Sequence, residues 1–120
     1  MRRQVKRSEL ESFVQRCRER HNTYMRANYN RLRPGKIGYD VHGTWARIWL
    51  REKRPGVFGN PDWYRREIKT VFAFVDLKSG NLHRATNWNK VDSVIRGNLF
   101  DPDYGMASVT GYGVFYRASH

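Results

Sequence analysis

A chain of 120 residues has room for one hydrophobic core, and 39% apolar with 28% charged residues is the balance of a folded domain, not of a disordered or membrane-embedded chain. The 23 Lys and Arg against 11 Asp and Glu leave a formal net charge of +12 at pH 7, more than solubility requires, and such an excess points to a polyanionic or acidic partner. Cys17 is the single cysteine, which excludes an internal disulfide and fits a reducing compartment; no apolar run matches a membrane span or a signal-peptide core, so a soluble product with no membrane partner is the expectation.

The charge is uneven along the chain. Residues 1–36 hold 11 basic and 3 acidic side chains, net +8, and residues 37–120 hold 12 and 8, net +4. Arg2, Arg3, Lys6 and Arg7 form a basic arm over residues 1–7, ahead of a single domain. Such an arm suits either contact along phosphates or a solubilising tail. From Ser8 a helix is predicted to about Asn28, with Ser8 and Glu11 as its capping box. Leu10, Phe13, Val14, Cys17, His21, Tyr24 and Met25 recur at steps of three and four and form the stripe that must pack. His21 lies within that stripe and reads as a packed histidine, and Cys17 as a small core residue. Arg16 and Arg20 flank the polar side.

Pro34-Gly35 ends the helical region as a turn. Ile37, Tyr39 and Val41 then alternate with polar residues as a short edge strand, and His42-Gly43 is the next turn signal. From Thr44 to Arg51, Ala46, Ile48 and Leu50 share a core face. Trp45, Arg47, Trp49 and Arg51 share the other, where aromatic residues alternate with arginine. Residues 52–66 read as a long loop with its own aromatics, Phe58, Trp63 and Tyr64, either a functional segment or a lid folded over the core. Ile68 to Asp76 is predicted as a central strand covered on both sides, with Ile68, Thr70, Phe72 and Phe74 on one face and Lys69, Val71, Ala73 and Val75 on the other. Asp76 to Asn81 is a hairpin loop closed by Gly80, and Leu82 to Thr86 returns as a strand. Asn89 to Ile95 fits a short helix with Val91, Val94 and Ile95 facing inward. Asp101 to Gly105 is a turn, Met106 to Val109 an extended segment, and Val114 to Tyr116 a last edge strand. The fold class is therefore α+β: one long N-terminal helix packed on a small antiparallel meander.

Phe74-Val75-Asp76, Gly80, Ala85-Thr86-x-Trp88 and Arg96-Gly97-Asn98 together resemble a group of small uncharacterised bacteriophage proteins, over about residues 68–100. The group carries a proline soon after the tryptophan, where this chain has Val91. The resemblance implies a viral origin, a similar hairpin core and a place in the host cytoplasm or the virion. It implies no mechanism. Within Lys69 to Leu77, Phe72-Ala73-Phe74-Val75 also matches the centre of the RNP1 strand of RNA-recognition motifs. Thr70 stands where that motif has glycine, and a hairpin follows where it has a helix, so a Phe-rich core strand is the better reading.

The chain holds no H-E-x-x-H, C-x-x-C or phosphate loop, and neither Asp40 with His42 nor Asp76 with His83 has triad or zinc-ligand spacing. No cofactor or metal is therefore expected. A nuclease built from scattered acidic residues is the remaining catalytic alternative. Binding is the stronger expectation. Single-stranded nucleic acid is held by basic grooves with aromatic platforms, each stacked base contributing about 1–3 kcal/mol. The candidate contacts are Arg2, Arg3, Lys6, Arg7, Arg16 and Arg20 near the N-terminus, Trp45, Arg47, Trp49 and Lys69 on the strands, and Arg84, Trp88, Lys90 and Arg96 around the second hairpin. Trp88 equally suits a plug under its turn, and Arg96 a clamp on its own loop, with Gly97 supplying an unusual φ. The alternatives are an inhibitor of an acidic host protein, such as a nucleic-acid enzyme or defence factor, and a genome-associated virion component.

Overall fold

The apolar stripe at the N-terminus folds as a 22-residue helix, α1 (Arg7–Asn28), and buries Leu10, Phe13, Val14, Cys17, His21 and Met25 along one side. The structure, a computed structural model, describes residues 4–30, 32–53 and 67–114. The helix is capped two residues earlier than the Ser8–Glu11 pair predicts, at Lys6 instead of Ser8. Val5 donates its N–H to the Leu77 carbonyl at 2.8 Å, which docks the chain before Ser8 is reached. Lys6 then takes the cap position, and the Glu9 carboxylate accepts the Lys6 N–H at 2.9 Å. Glu11 serves elsewhere, accepting from Arg7 and from the Tyr39 hydroxyl. The basic arm is correspondingly shorter than residues 1–7, because Val5 to Arg7 belong to the fold. Arg2 and Arg3 lie outside the described residues.

Five strands follow in a meander: β1 (Lys36–His42), β2 (Trp45–Lys53), β3 (Glu67–Asp76), β4 (Asn81–Asn87) and β5 (Lys90–Asn98). They pair antiparallel in the order β1-β2-β3-β4-β5, so β3 is central and β1 is an edge, as the alternation implied. A second, two-stranded sheet, β6 (Val109–Thr110) and β7 (Gly113–Val114), closes the end of the helix side. The core lies between α1 and one sheet face, where Leu10, Phe13, Val14 and Cys17 meet Ala46, Ile48, Leu50, Ala73, Val75 and Leu82. Burial pushes the Cys17 thiol far up, so it behaves as a packed hydrophobe. His21 is fully buried and satisfied at both nitrogens. Its Nε2 accepts the Gly35 N–H at 2.9 Å, so Nδ1 carries the proton and donates to the Gly111 carbonyl at 2.6 Å.

Four expectations give way to tertiary context. Residues 89–95 form no helix: Lys90–Asn98 is β5, and Val94 and Ile95 are 50% and 57% exposed. Their spacing satisfies a helical stripe, but β-branched side chains suit a strand equally, and β4 supplies the pairing partner. Met106–Ser108 is a 3-10 turn, not an extended segment; the Asp103 carboxylate accepts from the Gly105 and Ala107 N–H groups and winds it. Gly97 has no positive φ; a Cβ there would lie 3.2 Å from the Ser108 hydroxyl, so glycine serves close approach. The fourth is the β3 alternation. The β2–β3 register runs Ile48↔Ala73 and then Trp49↔Val71, leaving Phe72 as a bulge. Ile68 and Thr70 therefore share a face with Ala73 and Val75, and Phe74 joins Lys69 and Val71 on the other. The loop with Phe58, Trp63 and Tyr64, and Phe115 and Tyr116 of the last strand, lie outside the described residues.

Candidate nucleic-acid interface

The sheet face opposite α1 gathers the aromatic and basic side chains of several strands. Tight turns set the register of β1 and β2: with Gly43-Thr44 between His42 and Trp45, Asp40 falls opposite Arg47 and Gly38 opposite Trp49. The bulge at Phe72 then brings Lys69, Val71 and Phe74 onto that same face. Pairing between β3 and β4 covers only Phe74↔His83 and Val75↔Leu82, after which the β4–β5 hairpin curls over the face and carries Trp88 and Asn89 to Arg47.

Arg47 is the centre of this arrangement, and only 9% exposed. Its Nε and Nη2 donate to the two Asp40 carboxylate oxygens at 3.2 and 2.9 Å, a bidentate pair. Its Nη1 donates to the Trp88 carbonyl and the Asn89 Oδ1, both at 3.2 Å, and His42 Nε2 sits 3.0 Å from Nη2. The guanidinium lies over the Trp88 ring at 4.1 Å. Partial burial would push the Asp40 carboxyl up, but the hydrogen bond and charge of Arg47, with His42, hold it below the usual carboxylate range. Arg47 is thus a rivet between β1, β2 and the β4–β5 turn. Trp88 is half-buried against it, a role between the stacking platform and the plug that its sequence context offered.

Lys69 is exposed, and its ammonium lies 4.3 Å from the Trp49 ring and 5.4 Å from the Trp88 ring. Arg51 stands 5.8 Å over Trp49 and pairs with Glu67 at 3.7 Å. Trp49 packs against Gly38, where a Cβ would overlap its ring. Trp45 stands edge-on to His83 and Phe74 at 5.2 and 6.3 Å, a packed position rather than an open platform. The three tryptophans are half-buried. Phe72 and Phe74 are 2% and 5% exposed, so the RNP1-like aromatics belong to the interior and no base can stack on them. Comparison with protein-family models, with curated proteins and with solved structures finds no match for this chain.

The other candidate contacts are dispersed. Arg16 lies on the Tyr104 ring at 3.7 Å, and Arg20 donates to the Val109 carbonyl at 2.6 Å, both on the helix side. Lys6 and Arg7 are exposed there, Arg7 paired with Glu11. Arg84 is half-buried on β4, and Lys90 is exposed at the start of β5. Arg96 is 9% exposed and meets Asp92 at 3.5 Å, and the neighbouring Asn98 amide donates to the Ser79 carbonyl and Asn81 Oδ1 at 2.9 Å each. Arg-Gly-Asn is therefore a structural clasp under the β3–β4 hairpin. The structure joins Trp49, Lys69 and Trp88 into one site and leaves the helix arginines on the opposite side of the molecule.

Sequence reasoning missed Asp40, His42, Gly38 and Asn89 as parts of this face. Counting back from a two-residue turn at Gly43-Thr44 would have placed the first three. Nothing local signals Asn89. Among the described residues no group of three or more His, Cys, Asp or Glu gathers to hold a metal. Asp40 and His42 do meet, at 3.5 Å, but around Arg47. Asp76 instead accepts the Lys78 N–H, and His83 Nδ1 bonds the Asp92 carbonyl. Among the described residues no helix is long and apolar enough to cross a membrane.

Proposed function

We propose that this is a small accessory protein of the phage type its hairpin resembles, and that it binds nucleic acid chiefly through phosphates with weak sequence preference. The observation that carries the reading is Lys69, an exposed ammonium set between Trp49 and Trp88 on a sheet face that also presents Arg51. A base that stacks on either ring displaces the ammonium only as far as the phosphate of the same nucleotide, so stacking and charge neutralisation act together. Lys90 is exposed at the start of β5, and a net charge of +12 stands behind the face. Arg47 contributes by holding Trp88 in place, since its own donors are taken.

The test is oligonucleotide binding against salt. Wild-type affinity should fall steeply with salt, and Lys69→Ala should weaken binding to all sequences alike. Trp49→Ala should cost single strands more than duplex, because only unpaired bases can stack. Absence of binding at low salt would sink the reading.

One observation favours a protein partner as the second reading. β5 is the far edge of the sheet and exposes Val94 and Ile95 there, the geometry onto which a partner strand adds. A host protein recovered in pull-downs after nuclease treatment, and lost with Ile95→Lys, would establish it.

A further inference from the structure

On the helix side, away from Lys69, the first turns of α1 and the loop Leu99–Tyr104 enclose a cleft of about 300 Å³. Its floor is apolar, made by Phe13 and Leu99, which are 1% and 5% exposed. Two aromatic rings stand at its sides, Phe100 at 36% and Tyr104 at 49% exposure. Ser8, Ser12 and Asp101 line its rim, and their side chains make no hydrogen bond among the described residues, while Arg16 supplies the one guanidinium.

The walls are held, not merely present. The Arg-Gly-Asn clasp places Phe100: Asn98 Oδ1 accepts the Phe100 N–H at 2.8 Å, and the ring closes on Gly80, where a Cβ would lie 2.9 Å from it. Tyr104 takes φ 58°, a left-handed conformation that a bulky side chain rarely adopts, and Gly105 follows at φ 78°. The turn imposes it, with the Tyr104 N–H bonded to the Asp101 carbonyl at 2.8 Å. The result is a tyrosine ring aimed outward beneath the Arg16 guanidinium at 3.7 Å. Backbone strain of this kind clusters at ligand-binding positions.

We infer that this cleft binds a nucleobase. A base has two apolar faces, which match the aromatic walls and the Phe13–Leu99 floor. Its edge carries amino and imino donors, which match the hydroxyls of Ser8 and Ser12 and the Asp101 carboxylate, and acceptors or an attached phosphate, which match Arg16. The volume is at the small end of the roughly 300–1,000 Å³ of ligand sites, room for one ring system and its substituent. The chemistry is the same whether the base belongs to a free nucleotide or to a strand. The site is separate from the Trp49–Lys69–Trp88 face and stands or falls without it.

The experiment is ligand-observed NMR and calorimetry of the full chain with each of the four ribonucleoside monophosphates, with inorganic phosphate, and with a short single-stranded oligonucleotide. Saturable binding of at least one nucleotide, not competed by phosphate, is expected. Tyr104→Gly removes the ring and relieves the positive φ, so the protein should melt no lower than wild type yet lose nucleotide binding. Ser12→Trp, at an exposed helix position, should fill the cleft with the same loss, and Arg16→Ala should weaken binding about tenfold, as one charge-assisted hydrogen bond would. Because the sheet face also offers a nucleotide rings and an ammonium, the titrations are repeated in a Lys69→Ala background, where the loss caused by Tyr104→Gly should persist. If the oligonucleotide alone binds and Tyr104→Gly weakens it, the base comes from a strand; if the mononucleotide alone binds, the cleft takes a free nucleotide. Binding by neither, competition by phosphate alone, or full affinity in Tyr104→Gly would overturn the assignment.

Discussion

Replacing Arg47 by methionine keeps most of the aliphatic bulk and removes every polar contact of the rivet. The guanidinium makes a bidentate pair with Asp40 and stacks on Trp88. Hydrogen bonds to a charged group contribute about 1.5–3 kcal/mol. Asp40 is 37% exposed and can recover water, so the lower half of that range applies. Loss of the cation–π contact adds roughly 0.5–2 kcal/mol, and the Trp88 carbonyl and Asn89 amide lose their donor. A total of about 3 kcal/mol is expected. Urea unfolding followed by far-UV circular dichroism measures it without depending on the tryptophans themselves. Arg47→Lys keeps the charge but not the planar fork, and should lose about half as much. A double-mutant cycle with Asp40→Asn should return a coupling of about 1–2 kcal/mol. A coupling below about 0.5 kcal/mol, or an Arg47→Met protein as stable as wild type, would refute the view that this pair holds the hairpin over the sheet.

Phe13→Ala and Phe72→Ala should each cost about 3–5 kcal/mol in the same assay, since both side chains lie in the core between α1 and the sheet. Gly38→Val should displace the Trp49 ring that covers the glycine, shifting tryptophan emission and weakening single-strand binding more than duplex binding. Asp40 has a depressed pKa in the fold, so its contribution is fully present above the ordinary value of 3.8 and is lost as pH falls through the lower folded value. Asp40→Asn should therefore flatten the loss of stability measured as pH falls below about 4. A mutant that follows the wild-type acid profile would show that Asp40 is not the group responsible.

Local chemistry settled much of the chain. The stripe from Leu10 to Met25 had to bury one side of a helix, and that side includes a histidine whose two nitrogens found backbone partners. Asp76 and Gly80 wrote the β3–β4 turn: the Asp76 carboxylate accepts the Lys78 N–H, and Gly80 takes φ 81°. These signals lie within a few residues of where they act, so the one-dimensional pattern carries them. The alternation of β2 likewise announced a core face and an Arg–Trp face. Period alone could not place the bulge at Phe72, because the extra residue exists only relative to a partner strand, and it decides that Lys69 and Phe74 share the far face. Nor could it choose strand over helix for residues 90–98, where Val91, Val94 and Ile95 fit a helical stripe while their β-branched side chains suit a strand, and pairing with β4 decides. The candidate interface joins Arg47 to Trp88 and Lys69 to Trp49 through space, and the cleft joins Arg16 to Tyr104. Sequence supplied those residue types and the excess of charge. Only the folded sheet, with its bulge and curled hairpin, determined which of them meet, because contact between distant residues depends on strand register, and register is a property of the pair.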